Sequence, residues 1–510
     1  VTHSLTATQV EVDRPSLGSS VRLVVAVLLG AAAVLATLVP AFDDGLAWLP
    51  LVPVAAAVTW CALPTHLVAA RGIAAGRWSP DVLAAAGLAA ALVWSVAGAF
   101  DGSDQTRLAP VALATVLVVV AQEVARESGA DDPYAGTPGW ITSLALAVSL
   151  ATLAGWWLTD GAGPAATAAV STLLVAAPVA LRVAGPAALL VAARRGAGIG
   201  MAPADESTMD VAARIDTIVL DQHGTVTTGE LSVTSVDAVD PEHLRNLRWF
   251  AGALEHMSEH PIGRAIAKLS APGRVTNVRH QPGLGISGSV DRHPVRVGLP
   301  SWIGIEHADG LGTQVAVEVD GRALGSIRVA DTLRADAHAG VAQLRGLGLD
   351  PVLVSDRPEA DTSFIAAGSG IVTSHPGITT EGRIALIQRL RADGRVVAMA
   401  GDRGRHPAAM QAADLPITTA AAPPRDGVAV AEVDVCTVAG AIALARGTRA
   451  AIRTNRRWAL AGMLAPLPFA AAGLLDPVLA APIALVPLVA VGVRSLRIPP
   501  VQPPRPAAAA

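Results

Sequence analysis

The chain has 510 residues, of which 52% are hydrophobic and only 16% charged, with a formal net charge of -4. That balance excludes a nucleic-acid surface built on excess basic charge and points to an integral membrane protein. The two cysteines, Cys61 and Cys436, stand in very different segments, which excludes a disulfide framework and a cysteine-based metal site.

In chain order, residues 1–20 are polar and read as a cytoplasmic tail. Six apolar stretches follow, near 21–42, 47–70, 80–99, 108–124, 139–158 and 165–193, and two more lie near 457–475 and 477–493. A membrane span needs roughly 20 apolar residues, so each reads as a crossing helix, with the fourth and eighth short. This makes a six-helix region over 21–193 and a closing pair over 448–498. Arg71, Arg77, Arg126, Arg194, Arg195, Arg494 and Arg497 fall on one side of these helices. Asp43, Asp44, Asp101, Asp104, Asp160 and Asp476 fall on the other, where Arg107 is the one basic residue. The positive-inside rule then places both termini and region 194–456 in the cytoplasm. The Pro/Ala-rich stretch 499–510 reads as a disordered tail.

Region 194–456 is more polar and alternates strand-like with helix-like runs. Strands are expected at 217–220, 316–319, 326–329, 351–354 and 396–400, and helices at 335–346 and 380–391. This order argues a parallel sheet in an α/β body made of 194–245 and 326–447. Residues 246–325, with Gly-rich turns and strands of their own, read as an inserted domain. The run Ile218-Val219-Leu220-Asp221 is a buried strand that ends in a carboxylate, and open α/β sheets place their chemistry at that end.

Asp221-Gln222-His223-Gly224-Thr225-Val226-Thr227 resembles the phosphorylation signature of P-type ATPases, Asp-Lys-Thr-Gly-Thr-Leu-Thr, with Gln222 for Lys and His223 for Thr. Further motifs follow in the order of the heavy-metal class of that family. Gly76-Arg77-Trp78-Ser79-Pro80-Asp81 resembles the start of its third helix. Ser258-Glu259-His260-Pro261 matches its nucleotide-domain motif, with Glu255 ahead of it and Gly283-Leu284-Gly285 behind. Asp331-Thr332-Leu333-Arg334, Gly401-Asp402, Ala412-Ala413-Asp414, and Asn455 with Trp458 complete the set. The resemblance implies a multi-pass α-helical membrane domain of about eight helices (6 + 2). It also implies a cytoplasmic haloacid-dehalogenase-like α/β domain carrying an inserted nucleotide-binding α+β domain.

The resemblance also implies roles. Asp221 would be the nucleophile that forms an aspartyl-phosphate. Asp402 and the His223 carbonyl would join Asp221 around magnesium. Arg383 would supply the positive charge of the family's lysine. Glu255, His260, Gly283 and Gly285 would hold ATP. His260 has a second reading, as the residue that starts a helix beside Pro261.

The departures are as specific as the matches. The family's Thr-Gly-Asp is Val354-Ser355-Asp356, its Pro-Glu-Asp-Lys is Thr380-Glu381-Gly382-Arg383, and its Gly-Asp-Gly-x-Asn-Asp is Gly401-Asp402-Arg403-Gly404-Arg405-His406. Its Gly-Asn is Gly298-Leu299. In the sixth helix Ala177-Pro178-Val179 stands where the family carries Cys-Pro-Cys, so no convincing transport site remains. The seventh and eighth helices offer Gly462-Met463 and Ala484-Leu485-Val486-Pro487-Leu488, in which Met463 is the one soft side chain. Arg182, an intramembrane charge, would repel a metal cation and reach a wet cavity or a freed carbonyl. Between the fourth and fifth helices only about residues 126–139 stand where the family inserts its actuator domain with Thr-Gly-Glu. Three readings follow: an ATP-binding, pump-impaired relative, an active ATP-driven metal transporter, or a membrane-bound phosphatase with His223 as general acid/base. Expected partners are the lipid bilayer, ATP, and another membrane protein or ATPase chain that supplies the actuator.

Overall fold

The computed structural model describes residues 17–36, 48–100, 107–130, 132–134, 137–202, 204–308, 310–419 and 427–501. Residues 1–16 and 502–510 of the two expected tails, and Asp43, Asp44, Asp101 and Asp104 of the charge pattern, lie outside the described residues. The chain divides into two compact units.

The first unit is helical. It holds α1 (Leu17–Ala36), α2 (Leu51–Cys61), α3 (Leu63–Ala74), α4 (Pro80–Phe100), α5 (Leu108–Glu127), α6 (Trp140–Asp160), α7 (Ala162–Ala176), α8 (Val179–Gly196) and most of α9 (Glu206–Arg214). Among the described residues, six helices are long and apolar enough to cross a membrane, with Ala162–Ile199 and Val435–Ala471 each counted once. The α2–α3 pair, bent by 54°, makes a seventh if it is one span, and Val21–Leu35 is a shorter apolar helix. The sixth expected segment is interrupted between α7 and α8 at Ala177-Pro178. Proline has no N–H to donate and its ring crowds the preceding turn, so the ladder breaks there. The core of this unit includes Leu88, Leu117, Val118, Leu174, Val179, Ala459 and Val491. Asn455, fully buried, donates to the Ala184 carbonyl at 3.0 Å and to Ser495 Oγ at 2.9 Å. It thereby joins three segments that are far apart in sequence.

The second unit carries two six-stranded sheets. The strands are β1 (Thr217–Asp221), β2 (Thr227–Ala238), β3 (Val275–Gln281), β4 (Gly285–Val290), β5 (His293–Gly298), β6 (Thr313–Val319), β7 (Arg322–Leu333), β8 (Asp350–Val354), β9 (Thr373–His375), β10 (Val397–Ala400), β11 (Leu415–Thr418) and β12 (Val428–Ala429). The first sheet is wholly parallel, in the order β12-β11-β10-β1-β8-β9. Its strands are continuous apolar runs, as expected when both faces are covered. On one face Val219, Val354, Val397 and Met399 pack with Ile387, Ala409 and Met410 from α15 (Thr380–Ala392) and α16 (Pro407–Ala412).

The second sheet is wholly antiparallel, in the order β2-β7-β6-β5-β4-β3. Helices α10 (Leu244–Glu255) and α11 (Pro261–Ala267) bury Leu247, Leu254 and Ile266 against Ile286, Val297, Val317 and Ile327 of its strands. The expected strand at 326–329 belongs here beside that at 316–319, not to the parallel sheet. The cause is a two-residue hairpin loop, Asp320-Gly321, with both φ positive (52° and 77°). Such an Asp-Gly loop matches the twist of antiparallel neighbours. Strands β2 and β7 flank the 246–325 insertion and are part of its sheet.

Candidate functional site

Strand β1 lies between β10 and β8, and the topology reverses around it. The register pairs Leu220 with Ala400 and Asp221 with Val354. Three adjacent strands therefore end together, with Asp221, the Ser355-Asp356 turn and the Gly401-Asp402 turn at one edge. This is the crevice position that open parallel sheets offer a ligand.

Asp221 is 2% exposed, and its carboxylate meets a guanidinium and an imidazole rather than further oxygens. Arg383, also 2% exposed and in the first turn of α15, donates from Nη2 to Asp221 Oδ1 at 3.2 Å. His406 Nε2 lies 3.7 Å from Asp221 Oδ2, which has no hydrogen-bond partner. Arg383 Nη1 lies 2.9 Å from His406 Nδ1, so the three side chains close on one another. Burial holds the Asp221 carboxyl up at about 6, while Arg383 and then Arg405 pull it down. Burial, with Arg383 and Arg405 beside it, pushes the His406 imidazole below its usual range. A neutral ring suits a neighbour that can only donate. Arg405 pairs with Asp356 at 3.5 Å.

The other residues expected around magnesium bond locally, Asp402 through one carboxylate oxygen and His223 through its ring rather than the carbonyl expected to serve the ion. Asp402 is exposed, and its Oδ1 accepts the Gly404 N–H at 2.8 Å. His223 turns its Nδ1 to Asp331 Oδ2 at 2.9 Å. Asp331 also accepts from Thr227 Oγ1 at 2.6 Å and from the Gly229 N–H at 3.0 Å. Arg334 donates to the Thr227 carbonyl at 3.1 Å. The Asp331-Thr332-Leu333-Arg334 motif thus clasps the loop that follows Asp221. Gly224 turns that loop with φ +75°. Ser355 Oγ accepts the Arg357 N–H at 3.0 Å, a local use of that hydroxyl.

A cavity of about 770 Å³ opens beside this edge, lined among others by Gln222, His223, His260, Asp356, Arg357 and Arg405. Asp221 and Arg383 lie outside its lining. A second cavity of about 400 Å³ is lined by Glu255, Ser258, Gly283, Gly285 and Gly298, and it shares His260, Ile262 and Thr313 with the first. The four residues expected at the nucleotide end therefore meet in one place. His260 serves both of its readings. Its Nδ1 accepts the Ile262 N–H at 3.3 Å and caps α11, and its side chain lines both cavities. Gly285 has φ +153°, and a Cβ there would meet the Val297 carbonyl oxygen at 2.2 Å. Strand pairing alone therefore requires this glycine.

Glu255 is buried, and burial lifts its carboxyl to about 7, with Ser258 pulling the other way. A Cβ on Gly263 would meet Glu255 Oε2 at 2.3 Å, so that glycine makes room for the carboxyl. Because the folded value is raised, the stabilisation is present below the unfolded value near 4.5 and is lost as pH rises through about 7. Glu255→Gln is expected to raise the stability at about pH 8 by on the order of 2–3 kcal/mol, read as a higher thermal transition, and to leave it close to wild type at about pH 5. Equal offsets at both pH values would show that the carboxyl carries no such penalty.

In the helical unit the three expected transport segments do converge. Ala177, Pro178, Gly462, Met463, Ala484 and Pro487 line a cavity of about 10 Å³ at the α7–α8 break. Its lining side chains are apolar apart from one thioether, and it is about the size of one water. Among the described residues, the Arg182 guanidinium reaches neither a wet cavity nor a carbonyl. It forms an ion pair with Asp81 at the start of α4, and its Nη1 stands 3.4 Å from the Tyr134 hydroxyl. Tyr134 Oη lies 3.2 Å from Asp81 Oδ1, and the guanidinium sits 5.7 Å from the Tyr134 ring centroid. Tyr134 and the Asp81–Arg182 pairing were missed from sequence. Opposite charges in two apolar segments were the available signal.

Residues 215–414 match a family model, the haloacid dehalogenase-like hydrolases, which sets the class of the parallel-sheet body. The chain is 35% identical over 357 residues to a copper-exporting P-type ATPase of Mycobacterium tuberculosis, covering 66% of this chain and 46% of that one. It is 36% identical over 353 residues to a cation-transporting P-type ATPase B of Mycobacterium bovis, covering 64% and 46%. A crystal structure of a zinc-transporting PIB-type ATPase superposes with a TM-score of 0.71 at 18% identity, covering 94% of this chain and 100% of that one. That likeness is one of fold. The chain belongs to the heavy-metal P-type ATPase family, and it spans about half the length of the curated relatives it matches.

Proposed function

We propose that this membrane protein binds ATP in the cavity beside Asp221 and is impaired or inactive as a metal pump. The observation that carries the reading is the closure of Asp221 behind Arg383 and His406, outside the cavity lining. A nucleophile needs a reacting atom about 3 Å away and in line. Here a guanidinium and an imidazole hold that carboxylate instead. The apolar break at Ala177-Pro178-Val179 supports the same reading, because soft metal ions need thiolate or thioether donors that are not brought together there. Glu255, His260, Gly283 and Gly285 would take the base and ribose. ATP is the substrate class favoured by the family and by the two joined cavities.

The test is phosphoenzyme formation and phosphate release by the detergent-solubilised chain, supplied with ATP, magnesium and a panel of metal ions. Wild type and Asp221→Asn are expected to give the same background and no acid-stable phosphoenzyme. Metal-stimulated turnover that Asp221→Asn abolishes would establish an active transporter instead. Hydrolysis of a small phosphomonoester with the same dependence would establish a phosphatase.

A further inference from the structure

Magnesium fits poorly at the edge where the family places it. The ion demands near-octahedral oxygens at about 2.0–2.1 Å and is usually fixed by one or two carboxylates together with substrate phosphates. Asp221 Oδ1 is held by Arg383 and Oδ2 faces His406. Asp402 Oδ1 accepts its own loop's Gly404 N–H and is exposed. Arg383, Arg405 and His406 have converged where a dication would need oxygens.

The larger cavity carries the complementary feature. Arg264, Lys268, Arg357 and Arg405 stand in its lining. The acids on the same wall are already engaged. Asp331 accepts from Thr227 and Gly229 and meets His223, Asp356 faces Arg405, and Glu230 lies 4.0 Å from Lys268. Arg357 is half-buried, and its guanidinium has no ion-pair partner among the described residues. A planar guanidinium binds phosphate oxygens in a fork that an ammonium cannot make, and it costs less to desolvate.

We infer that this cavity holds the polyphosphate of a nucleotide on arginine and lysine side chains, with Arg357 and Arg405 foremost, and without a divalent metal. The inference rests on the nucleotide-binding reading above and goes beyond it in the means of charge neutralisation. Arg405 passes from Asp356 to the phosphate when the ligand arrives. Base and ribose lie in the smaller cavity, and the phosphates point toward Gln222 and Arg357.

Calorimetric titration of the full chain in detergent tests this, with ATP and with adenosine, each in magnesium and in EDTA. The affinity for ATP is expected to change by less than about twofold between the two media. Arg357→Gln is expected to weaken ATP about tenfold in both media and to leave adenosine unchanged, as expected for the loss of one charge-assisted contact. Binding of ATP that is kept in magnesium and lost in EDTA overturns the inference and leaves the nucleotide-binding reading intact. Equal weakening of ATP and adenosine by Arg357→Gln also overturns it, because that is the mark of a structural role. Failure of both ligands to bind in either medium removes the nucleotide-binding reading itself.

Discussion

Arg383→Met is expected to lower the stability of the second unit by about 3–5 kcal/mol, the usual cost of breaking a buried ion pair from one side. Both partners are 2% exposed, so water cannot take the place of the lost guanidinium. Methionine keeps most of the chain length, which limits the loss of packing. The cost depends on pH in a definite direction. Asp221 is already held at about 6 by burial, with Arg383 pulling it down. Without Arg383 its value rises further, so the variant falls behind wild type as pH climbs through about 6, where the wild-type carboxyl ionises. The pair Arg383→Met with Asp221→Asn should regain most of the loss, since no charge is then left unpaired. Equilibrium unfolding of the four proteins of this cycle at two pH values measures the coupling. A coupling near zero would mean that Arg383 does not neutralise Asp221.

Arg182→Met is expected to act on the helical unit in the same way, by about 3–5 kcal/mol, because it leaves the Asp81 carboxylate buried without its cation. Asp81 is 4% exposed, and Arg182 and the Tyr134 hydroxyl bond to it, with the Asp132 carboxylate also near. Asp81→Asn in the Arg182→Met background should restore much of the stability. Tyr134→Phe removes one neutral donor and is expected to cost only about 1 kcal/mol. Thermal stability in detergent reads all four. If Arg182→Met and Asp81→Asn prove additive, the pair is a contact without energetic consequence. Arg182 lies one turn beyond the Pro178 break, its backbone N–H donating to the Pro178 carbonyl at 2.9 Å.

Much of the fold was legible because local pattern and burial agree. The run Thr217-Ile218-Val219-Leu220 is β-branched and apolar, and it is a central strand covered on both faces. The helix expected at 380–391 appears as Thr380–Ala392, with Thr379 Oγ1 accepting the Gly382 N–H at 3.2 Å to start it. The misassignment of 326–329 had a local remedy in Asp320-Gly321, a hairpin signal that outranks strand order. At the base-binding end, the grouping of Glu255, His260, Gly283 and Gly285 followed from motif order. The separate duty of Gly285 did not, because it depends on a carbonyl of the neighbouring strand.

Sequence alone determined the division into apolar helices and an α/β body, because hydropathy and periodicity are local properties. It placed Asp221 at a strand end, and it determined that two thiolates are missing around Pro178. Only the tertiary structure decided what each surviving polar group faces. Arg383 and His406 are 23 residues apart in the chain and more than 160 from Asp221, yet they meet on one carboxylate. Arg182, Asp81 and Tyr134 come from three segments and satisfy one another. The reason is physical. A buried charge is stable only beside its counter-charge, and which counter-charge is nearest depends on how helices and strands pack rather than on spacing along the chain.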